Sequence, residues 1–526
     1  MPTNENGPMP KNIVICSDGT GNTTIKGRGT NVFKLYEAVD TEGHKTNLTH
    51  TPQIAIYDDG VGTEGLKFLK LLGGAFGWGL GRNVRQLYAA LVRVYEPGDK
   101  IFLFGFSRGA YTVRTLAGLI VNCGIIKRSE ELSPDEKLRE AVFLTYRYQY
   151  RALYKALLDR LAELVGLPRL SEWILSSWWG VCRGEAHPGE VQFIGVWDTV
   201  DAVGLPLDEL AEIINLIFYR FKFSTRNLNS MVRRACHALS IDEERHAFHP
   251  VMWDEERENK TNPRIEQVWF AGVHSNVGGG YPKQGMSLVS LDWMMERAGA
   301  SGLRFIDHDR KLYQEHQNVN DKLYDSRAGF AAYYHYTPRD IWSICQESNA
   351  KPRIHVSAFE RIAQGTEGYA PANIPRNFKI VETRGSGKVF DGAVTAIRDA
   401  LRKNKSPLDL VQEEVGLRRR FHVYFVVSSI VGLITILSFG VEDASWKSVL
   451  RVIGSVVSLN LVAMLELLHR GWAKHPSAAA MLIFMPICCY LVGNIEKKKM
   501  ARTIGEFWSG LRATLKGNLR AAGGGT

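Results

Sequence analysis

The sequence predicts an α/β fold built on a mostly parallel sheet, with helical insertions and apolar helices near the C-terminus. Three observations predict it. Short apolar runs alternate with helical patterns between residues 12 and 300, a tight glycine-flanked turn lies at residues 105–109, and two long uncharged runs follow residue 420. Alternation of this kind places helices on both faces of a parallel sheet.

Five short apolar runs are the predicted strands of that sheet, and each is followed by a turn or a glycine-rich loop. The runs are residues 12–16, 53–57, 101–106, 191–197 and 265–273. Between the third and the fourth, residues 128–190 are predicted to be a helical insertion that begins with the helix-start signal Ser133-Pro-Asp-Glu136. The insertion is either a lid beside the active site or a set of helices packed on the main domain.

The turn Gly105-Phe-Ser-Arg-Gly109 has the G-x-S-x-G pattern of a nucleophile elbow. It follows a predicted buried strand and precedes a predicted helix over residues 110–120. In such an elbow the glycines permit close backbone approach, and the serine hydroxyl points into a cleft. The N-terminus of the following helix directs backbone N–H groups at the same cleft. The alternative is a tight turn without chemistry.

A serine nucleophile needs a histidine base, and the base needs a carboxylate that orients it. Asp198 directly follows strand 191–197, and His274 directly follows strand 265–273. Both come after Ser107 in the chain order of α/β-hydrolase-like enzymes. The sequence therefore predicts Ser107 as nucleophile, His274 as base and Asp198 as acid.

Alternatives stay open for two of these roles. Asp242 is a second candidate for the acid, and His246 and His249 are further candidates for the base. Any lone histidine can also be a buried structural residue, which is why its position after a strand matters.

An oxyanion hole needs backbone N–H donors beside the nucleophile. The residue after the serine, Arg108, is predicted to supply one donor. The loop Gly19-Thr20 is predicted to supply the second, because glycine permits close approach. The side chain of Asp18 is expected to brace that loop.

No cofactor and no metal are predicted, because ester hydrolysis by such a triad needs neither. The aspartates Asp18, Asp58 and Asp59 could bind a divalent cation, but they lack the spacing of a ligand set. The glycine-rich stretch 73–81 is not a P-loop, because no Gly-Lys-Ser/Thr follows it. Seven scattered cysteines indicate a reducing compartment, and the N-terminus shows no secretory signal peptide.

Residues 401–526 are predicted to anchor a catalytic domain, residues 1–400, in a membrane. The runs 421–439 and 478–495 carry no charge and are long enough to cross a bilayer. A basic cluster precedes the first run and another follows the second, so two spans place both clusters on the cytoplasmic side. The alternative is a buried hairpin in a soluble core.

Two further C-terminal segments leave choices open. The run 449–468 is apolar but contains charged residues, so it is a third span, a re-entrant piece or an interfacial helix. Residues 504–520 are predicted to be a basic amphipathic helix with one apolar stripe, which either lies on an anionic membrane surface or docks on its own protein. The stripe comprises Ile504, Phe507, Trp508, Leu511, Leu515 and Leu519.

The blocks around these candidate residues together resemble one known family. They are Ile13–Asn22, Tyr57–Thr63, Gly105–Tyr111, Val196–Val200 and Val268–Tyr281. The resemblance is to the α/β-hydrolase family that includes the catalytic domain of type VI secretion phospholipase effectors. It implies that Ser107, Asp198 and His274 form the triad, and that the activity is hydrolysis of lipid esters, typically phospholipids. Members of the family often have aspartate where this chain has Asn276, a loop position outside the triad.

The sequence thus predicts a membrane-anchored serine hydrolase with a cytoplasmic catalytic domain that cleaves carboxylic esters of lipids. Its predicted partners are the bilayer and the lipid substrate. An esterase for a non-lipid ester, and an inactive hydrolase fold that binds or signals at the membrane, are the alternatives. The net charge of +10 does not predict nucleic-acid binding, because the basic residues flank apolar runs and form no patch interleaved with aromatics.

Overall fold

The computed structural model describes the chain in separate segments, and all structural statements below concern those segments. They are residues 9–19, 29–59, 76–127, 186–200, 226–258, 263–384, 395, 397–399, 407–441, 452, 454 and 461–523. Most of the predicted insertion, residues 128–185, lies outside them, as does Thr20.

Ten strands occur in the described segments. They are β1 (Asn12–Ser17), β2 (Gln53–Asp58), β3 (Lys100–Phe106), β4 (Ile125–Ile126), β5 (Ala186–His187), β6 (Val191–Trp197), β7 (Ala235–Ser240), β8 (Ile265–Phe270), β9 (Arg353–His355) and β10 (Lys379–Val381).

The helices of the described segments begin beside the sheet and end in a long C-terminal pair. They are α1 (Asn31–Ala38), α2 (Gly43–Thr46), α3 (Phe76–Val94), α4 (Arg108–Cys123), α5 (His274–Gly278), α6 (Gly285–Ala300), α7 (Asp307–Glu315), α8 (Ile341–Glu347), α9 (Val356–Gln364), α10 (Pro407–Leu410), α11 (Gln412–Phe439), α12 (Leu461–Lys474) and α13 (Pro476–Gly523). Short 3₁₀ turns cover His246–Phe248, Gly329–Tyr333 and Thr366–Gly368.

Eight of the strands form one sheet in the order β10-β9-β8-β7-β6-β3-β1-β2, and each of its described pairings is parallel. The α/β prediction with a mostly parallel sheet is confirmed. Because the strands are parallel, their carboxyl ends share one edge. The last residues of β3 and β6, Phe106 and Trp197, are register partners, so Ser107 and Asp198 begin neighbouring turns at that edge.

Buried side chains pack on both faces of this sheet. Successive residues of a strand point to opposite faces, so Ile13 and Ile15 of β1 pack toward α3 and α4. Val14 and Cys16 of the same strand pack toward α1 and α6. Helices therefore cover both faces of the sheet. The loops with polar residues lie at its carboxyl edge.

Two helices, α11 and α13, are long and apolar enough to cross a membrane by length and composition, each with a window of mean hydropathy 2.0. They pack against each other in antiparallel fashion, and a Cβ on Gly432 would lie 3.0 Å from the carbonyl oxygen of Leu482. Large apolar side chains on their outer faces are exposed, among them Val431 and Phe484. Helix α12, fourteen residues long, packs beside them.

The second half of α13 runs onto the catalytic domain. Ile504, Trp508 and Leu515 are buried in the cluster that surrounds β9 and α9, and the Trp508 indole N–H donates to the carbonyl oxygen of Pro371 at 2.9 Å. The apolar stripe predicted over residues 504–520 therefore packs on its own protein, the second of the two choices that the sequence left open.

Candidate active site

The turn between β3 and α4 has the backbone of a strained elbow. Ser107 has φ 57° and ψ −120°, a conformation that a residue with a Cβ adopts only when the surrounding structure imposes it. A Cβ on Gly105 would lie 2.5 Å from the Gly109 carbonyl oxygen, and one on Gly109 would lie 2.1 Å from that of Ser17. Only glycine fits at either place, so helix α4 is pressed against β1 at the point where the serine turns.

The imidazole of His274 is held by the carboxylate of Asp198. The Nδ1 atom lies 2.6 Å from Oδ2, and both side chains are buried. Because an ionised carboxylate only accepts, Nδ1 carries the proton and Nε2 is left as the acceptor. That Nε2 is buried without a hydrogen-bond partner in the described part of the chain. The rings of Phe106 and Phe248 pack on the imidazole at centroid distances of 4.6 and 4.9 Å and fix its orientation.

Asp198 is held by more donors than the histidine alone. Arg339 donates to both carboxylate oxygens, at 2.6 and 2.9 Å, and Ser240 donates from its backbone N–H and its hydroxyl, each at 3.0 Å. Burial alone would raise the pKa of this carboxyl, but Arg339 and His274 hold it well below its usual range. The surroundings of Asp198 therefore favour its ionised form.

A second buried ion pair lies behind the histidine. The Glu243 carboxylate accepts the backbone N–H of His274 at 3.2 Å and forms two bonds with the guanidinium of Arg245, at 2.7 and 2.9 Å. Burial lowers the pKa of His274, Asp198 opposes that effect, and the charge of Arg245 lowers it further. The net result is a base that stays neutral.

The three predicted residues of the triad come to the same edge of the sheet. The Ser107 N–H donates to the Trp197 carbonyl oxygen at 3.0 Å, directly before Asp198, and the ring of Phe106 contacts His274. The structure thus brings together the turns that carry the nucleophile, the acid and the base. A histidine with a carboxylate on Nδ1 and an open Nε2 can take a proton from a nearby hydroxyl.

The predicted oxyanion donors differ in their surroundings. Arg108 begins helix α4, directly after Ser107, where a first-turn N–H faces the elbow. The Gly19 N–H donates to Oδ1 of Asp18 at 2.6 Å, so in this conformation it is engaged by its own loop. Asp18 also accepts from the Tyr57 hydroxyl at 2.8 Å, and so braces the loop as expected.

The alternative acid and bases have other contacts. Asp242 accepts the Gly272 N–H at 2.6 Å and the Tyr369 hydroxyl at 2.9 Å, and burial raises its pKa to about 6. The rings of His246 and His249 lie 6.5 Å apart, and burial lowers the pKa of His249 to about 4. His274 is thus paired with Asp198 rather than with Asp242.

Within the described segments no group of three or more His, Cys, Asp or Glu side chains is placed to hold a metal ion. Two of the aspartates considered for a cation have protein partners. Asp18 is engaged as above, and Asp58 accepts from Ser17 and Asn83 at 2.9 Å each.

Sequence reasoning missed Arg339, Ser240 and Glu243. Ser240 ends β7, the strand between those of the acid and the base, so its position at the sheet edge was a usable signal. Arg339 follows the last sequence block in a segment without strand character, and no local pattern marks its pairing with Asp198.

A short segment links this site to the apolar helices. The ring of Tyr334 packs on Phe248, which contacts His274, at 5.7 Å. The ring of the preceding residue, Tyr333, packs on Phe425 of α11 at 4.8 Å. Three ring contacts and the peptide bond between Tyr333 and Tyr334 therefore connect His274 to a helix that is long enough to cross a membrane.

Comparison with known families assigns the chain to one of them. Residues 11–297 match the family model described as T6SS, phospholipase effector Tle1-like, catalytic domain. The match covers more than half of the chain, and the chain belongs to this family. The resemblance seen in the sequence blocks is thereby confirmed.

Individual relatives are more distant. An uncharacterized protein of Saccharomyces cerevisiae, YEL023C, is 27% identical over 251 residues, which is 45% of this chain and 32% of that protein. The chain thus spans about a third of that relative's length. A solved structure of an uncharacterized Pseudomonas aeruginosa protein has a TM-score of 0.34 at 17% identity, covering 87% of this chain and 63% of that one. The Tle1 effector bound to the VgrG spike of the type 6 secretion system has a TM-score of 0.27 at 17% identity, covering 52% of each chain.

Proposed function

We propose that this protein is a membrane-anchored serine hydrolase that cleaves carboxylic esters of lipids, in particular phospholipids. Membership of the phospholipase effector family supports a lipid ester as the substrate class. The observation that carries the proposal is the pairing of His274 Nδ1 with Asp198 beside a strained serine turn, with Nε2 left as an acceptor.

In the proposed reaction, Nε2 of His274 takes the proton of the Ser107 hydroxyl as its oxygen attacks the ester carbonyl carbon. The Arg108 N–H donates to the oxyanion that forms. His274 then protonates the leaving alcohol oxygen, and the acyl group stays on Ser107. Water then attacks the acyl carbon while Nε2 takes its proton, and the imidazolium gives that proton to the Ser107 oxygen as the bond to the acyl group breaks and the fatty acid leaves. Asp198 stays ionised throughout and stabilises the transient imidazolium.

The proposal places α11 and α13 across a bilayer, with the catalytic domain on the cytoplasmic side. Basic residues are clustered at one end of the apolar windows, Arg418–Arg420 on α11 and Lys497–Lys499 on α13, next to the catalytic domain, whereas Arg470 and Lys474 are isolated basic residues near the other end. That asymmetry favours the cytoplasm for this end. Tethering keeps the enzyme at high effective concentration relative to lipid substrates.

The decisive test uses the full chain in detergent micelles with a fluorophosphonate probe and a phospholipid substrate. We expect labelling of Ser107, and a loss of at least about 10³-fold in kcat/KM for Ser107→Ala and for His274→Ala. His308→Ala, an exposed histidine on α7, is the matched control and should keep full activity.

Four results would count against the proposal. Labelling that persists in Ser107→Ala would exclude this nucleophile, and full activity of His274→Ala would exclude this base. Hydrolysis of a soluble short-chain ester without any hydrolysis of phospholipid would assign a non-lipid substrate. Absence of both labelling and turnover would favour an inactive binding protein.

A further inference from the structure

A small pocket lies where α11 and α13 meet the catalytic domain, apart from the triad. The pocket has a volume of about 40 Å³. Its lining combines cationic groups with aromatic rings. Its lining includes Arg327, Arg418, His422, Phe425, Tyr490 and Gly493.

Two guanidinium groups meet in this pocket. Arg327 donates to the carbonyl oxygens of Ala332 and Tyr334, at 3.0 and 3.2 Å, and to Nδ1 of His422 at 3.0 Å. Its Nε–H is buried and has no acceptor among the residues that the structure describes. Burial and the neighbouring charge of Arg418 lower the pKa of Arg327, and the carboxylates of Glu244 and Asp325 oppose that effect only in part. A second cation so close to Arg327 is a repulsion that a bound anion would relieve.

The carboxylates nearby leave an excess of positive charge. Arg418 pairs with Glu244 at 3.2 Å, and Asp325 pairs with Lys497 at 2.8 Å. Arg327 has no carboxylate partner in an ion pair within the described segments, so the local balance is one positive charge. Exposed basic residues at neighbouring positions of α11 and α13 add to the positive potential in the pocket.

The pocket also lies at the depth where a lipid headgroup would be. The Phe425 and Tyr490 rings, 5.8 Å apart, close it on the side of the apolar windows. Directly beyond them the helix surfaces become apolar and exposed, at Val427 and Ile487 for example. Aromatic rings at the boundary and cations above it are the arrangement that receives an anionic headgroup between membrane helices.

We propose that this pocket binds the phosphate of an anionic membrane phospholipid, with the acyl chains along the apolar faces of α11 and α13. Arg327 and Arg418 supply the charge, and the rings separate phosphate from hydrocarbon. The inference rests on the proposed function only in that α11 and α13 lie in a bilayer. A lipid held here adjoins Tyr333, and so lies beside the segment that leads to the active site.

The glycine on α13 offers a sharp test. Gly493 lines the pocket, and a Cβ there would meet no heavy atom within 4 Å. Gly493→Leu therefore narrows the pocket without forcing the helices apart. Gly505→Leu is the matched control, because Gly505 is on the same helix, is outside the pocket and has equally open space. Arg327→Gln removes the charge instead of the space.

All variants are made in the full chain with Ser107→Ala, so that lipid is bound and not consumed. The protein is purified in detergent, mixed with phosphatidic acid, diacylglycerol of the same acyl chains, or inorganic phosphate, and analysed by native mass spectrometry. We expect one retained phosphatidic acid per chain, little diacylglycerol, and no displacement by millimolar phosphate. Gly493→Leu and Arg327→Gln should each weaken phosphatidic acid retention at least tenfold, whereas Gly505→Leu should not.

Equal retention by Gly493→Leu and Gly505→Leu would overturn the proposed site, and equal retention of diacylglycerol would overturn the role of the phosphate. Displacement by inorganic phosphate would assign a free-phosphate site instead of a lipid site. Membrane association is measured separately, by resistance to alkaline extraction. If the chain is extracted without detergent, the anchor in the proposed function fails; if it resists and retention is unaffected by the variants, only this inference fails.

Discussion

His274 is neutral in its resting state because burial disfavours the imidazolium, although Asp198 partly compensates. The charge of Arg245 adds to that effect, while its partner Glu243 opposes it. As a general base the ring acts only when neutral, so activity should rise with pH through its pKa and then level off. The acid limb of kcat/KM should therefore have its midpoint below the ordinary histidine value of 6.5.

Arg245→Gln should move that midpoint to higher pH. The change removes a positive charge that lowers the pKa of His274, and it leaves the Glu243 carboxylate without its cation beside the ring. Both effects stabilise the imidazolium, so they act in the same direction. The measurement is kcat/KM against pH for a short-chain ester, with the wild type in parallel. An unchanged or lower midpoint would contradict the electrostatic account.

Arg339 should be important both for stability and for the position of Asp198, because it is buried and donates to both carboxylate oxygens of Asp198. Breaking a buried ion pair from one side leaves an uncompensated charge and costs about 3–5 kcal/mol. We expect Arg339→Met to lose about that much free energy of unfolding. Arg384→Met is the control, since Arg384 is half exposed in its ion pairs and its loss should cost about 1 kcal/mol or less.

Denaturant unfolding of both variants checks the size of the effect. The fluorophosphonate labelling rate of the folded fraction checks the positioning role, since a merely structural arginine would leave that rate unchanged. Arg339→Lys should recover part of the stability but little of the rate, because a single ammonium cannot hold both carboxylate oxygens.

Local sequence pattern pointed to Ser107, Asp198 and His274 because each follows a predicted strand, and parallel strands end at the same edge; in the structure β8 ends at Phe270, four residues before His274, which still lies at that edge. The same pattern could not locate Arg339, whose partner is distant in sequence and whose own segment has no periodicity. It also could not settle Gly19, since a glycine-rich loop fits an oxyanion donor and an internally bonded turn equally well. Local sequence patterns thus predict which residues lie at the carboxyl edge of the sheet. The hydrogen bonds and ion pairs that orient them come from residues distant in sequence.

At the scale of elements, helix α13 shows what the sequence pattern cannot decide. An apolar stripe with basic residues on the opposite face suits a membrane surface and a protein surface alike, because both bury the same side chains. The structure buries Ile504 and Trp508 against α9 and the Pro371 loop, so the decision came from tertiary packing. The α/β core was more predictable, since strands buried on both faces are continuous apolar runs.

Trp508→Ala tests this docking. The indole is fully buried and its N–H is bonded to Pro371, so truncation should cost about 3–5 kcal/mol of stability. Trp472→Ala on α12 is the matched control, because that side chain is 46% exposed, and its loss should cost little in detergent. Thermal unfolding of the full chain in micelles measures both. Equal effects would mean that the end of α13 is not docked as described.

At the scale of the whole molecule, the catalytic domain and the apolar helices form one packed body. Arg418 of α11 pairs with Glu244 and stacks on Tyr336 at 3.8 Å, and Lys497 of α13 pairs with Asp325. Such contacts fix the height of the active site above any bilayer that α11 and α13 cross. The Tyr333–Tyr334 segment then lies between the candidate site and α11.

The fold also makes the number of membrane spans testable. With two spans, Arg420 and Lys498 lie on the side of the catalytic domain, and Lys474, between α12 and α13, lies on the opposite side. All three side chains are exposed. In a Cys182→Ser, Cys488→Ser, Cys489→Ser background, single cysteines at these positions are treated with a membrane-impermeant maleimide in sealed vesicles. Arg420→Cys and Lys498→Cys should label together, and Lys474→Cys should label only from the other side. Three spans would put Arg420→Cys and Lys498→Cys on opposite sides, and labelling of all three from one side would mean that neither helix crosses the membrane.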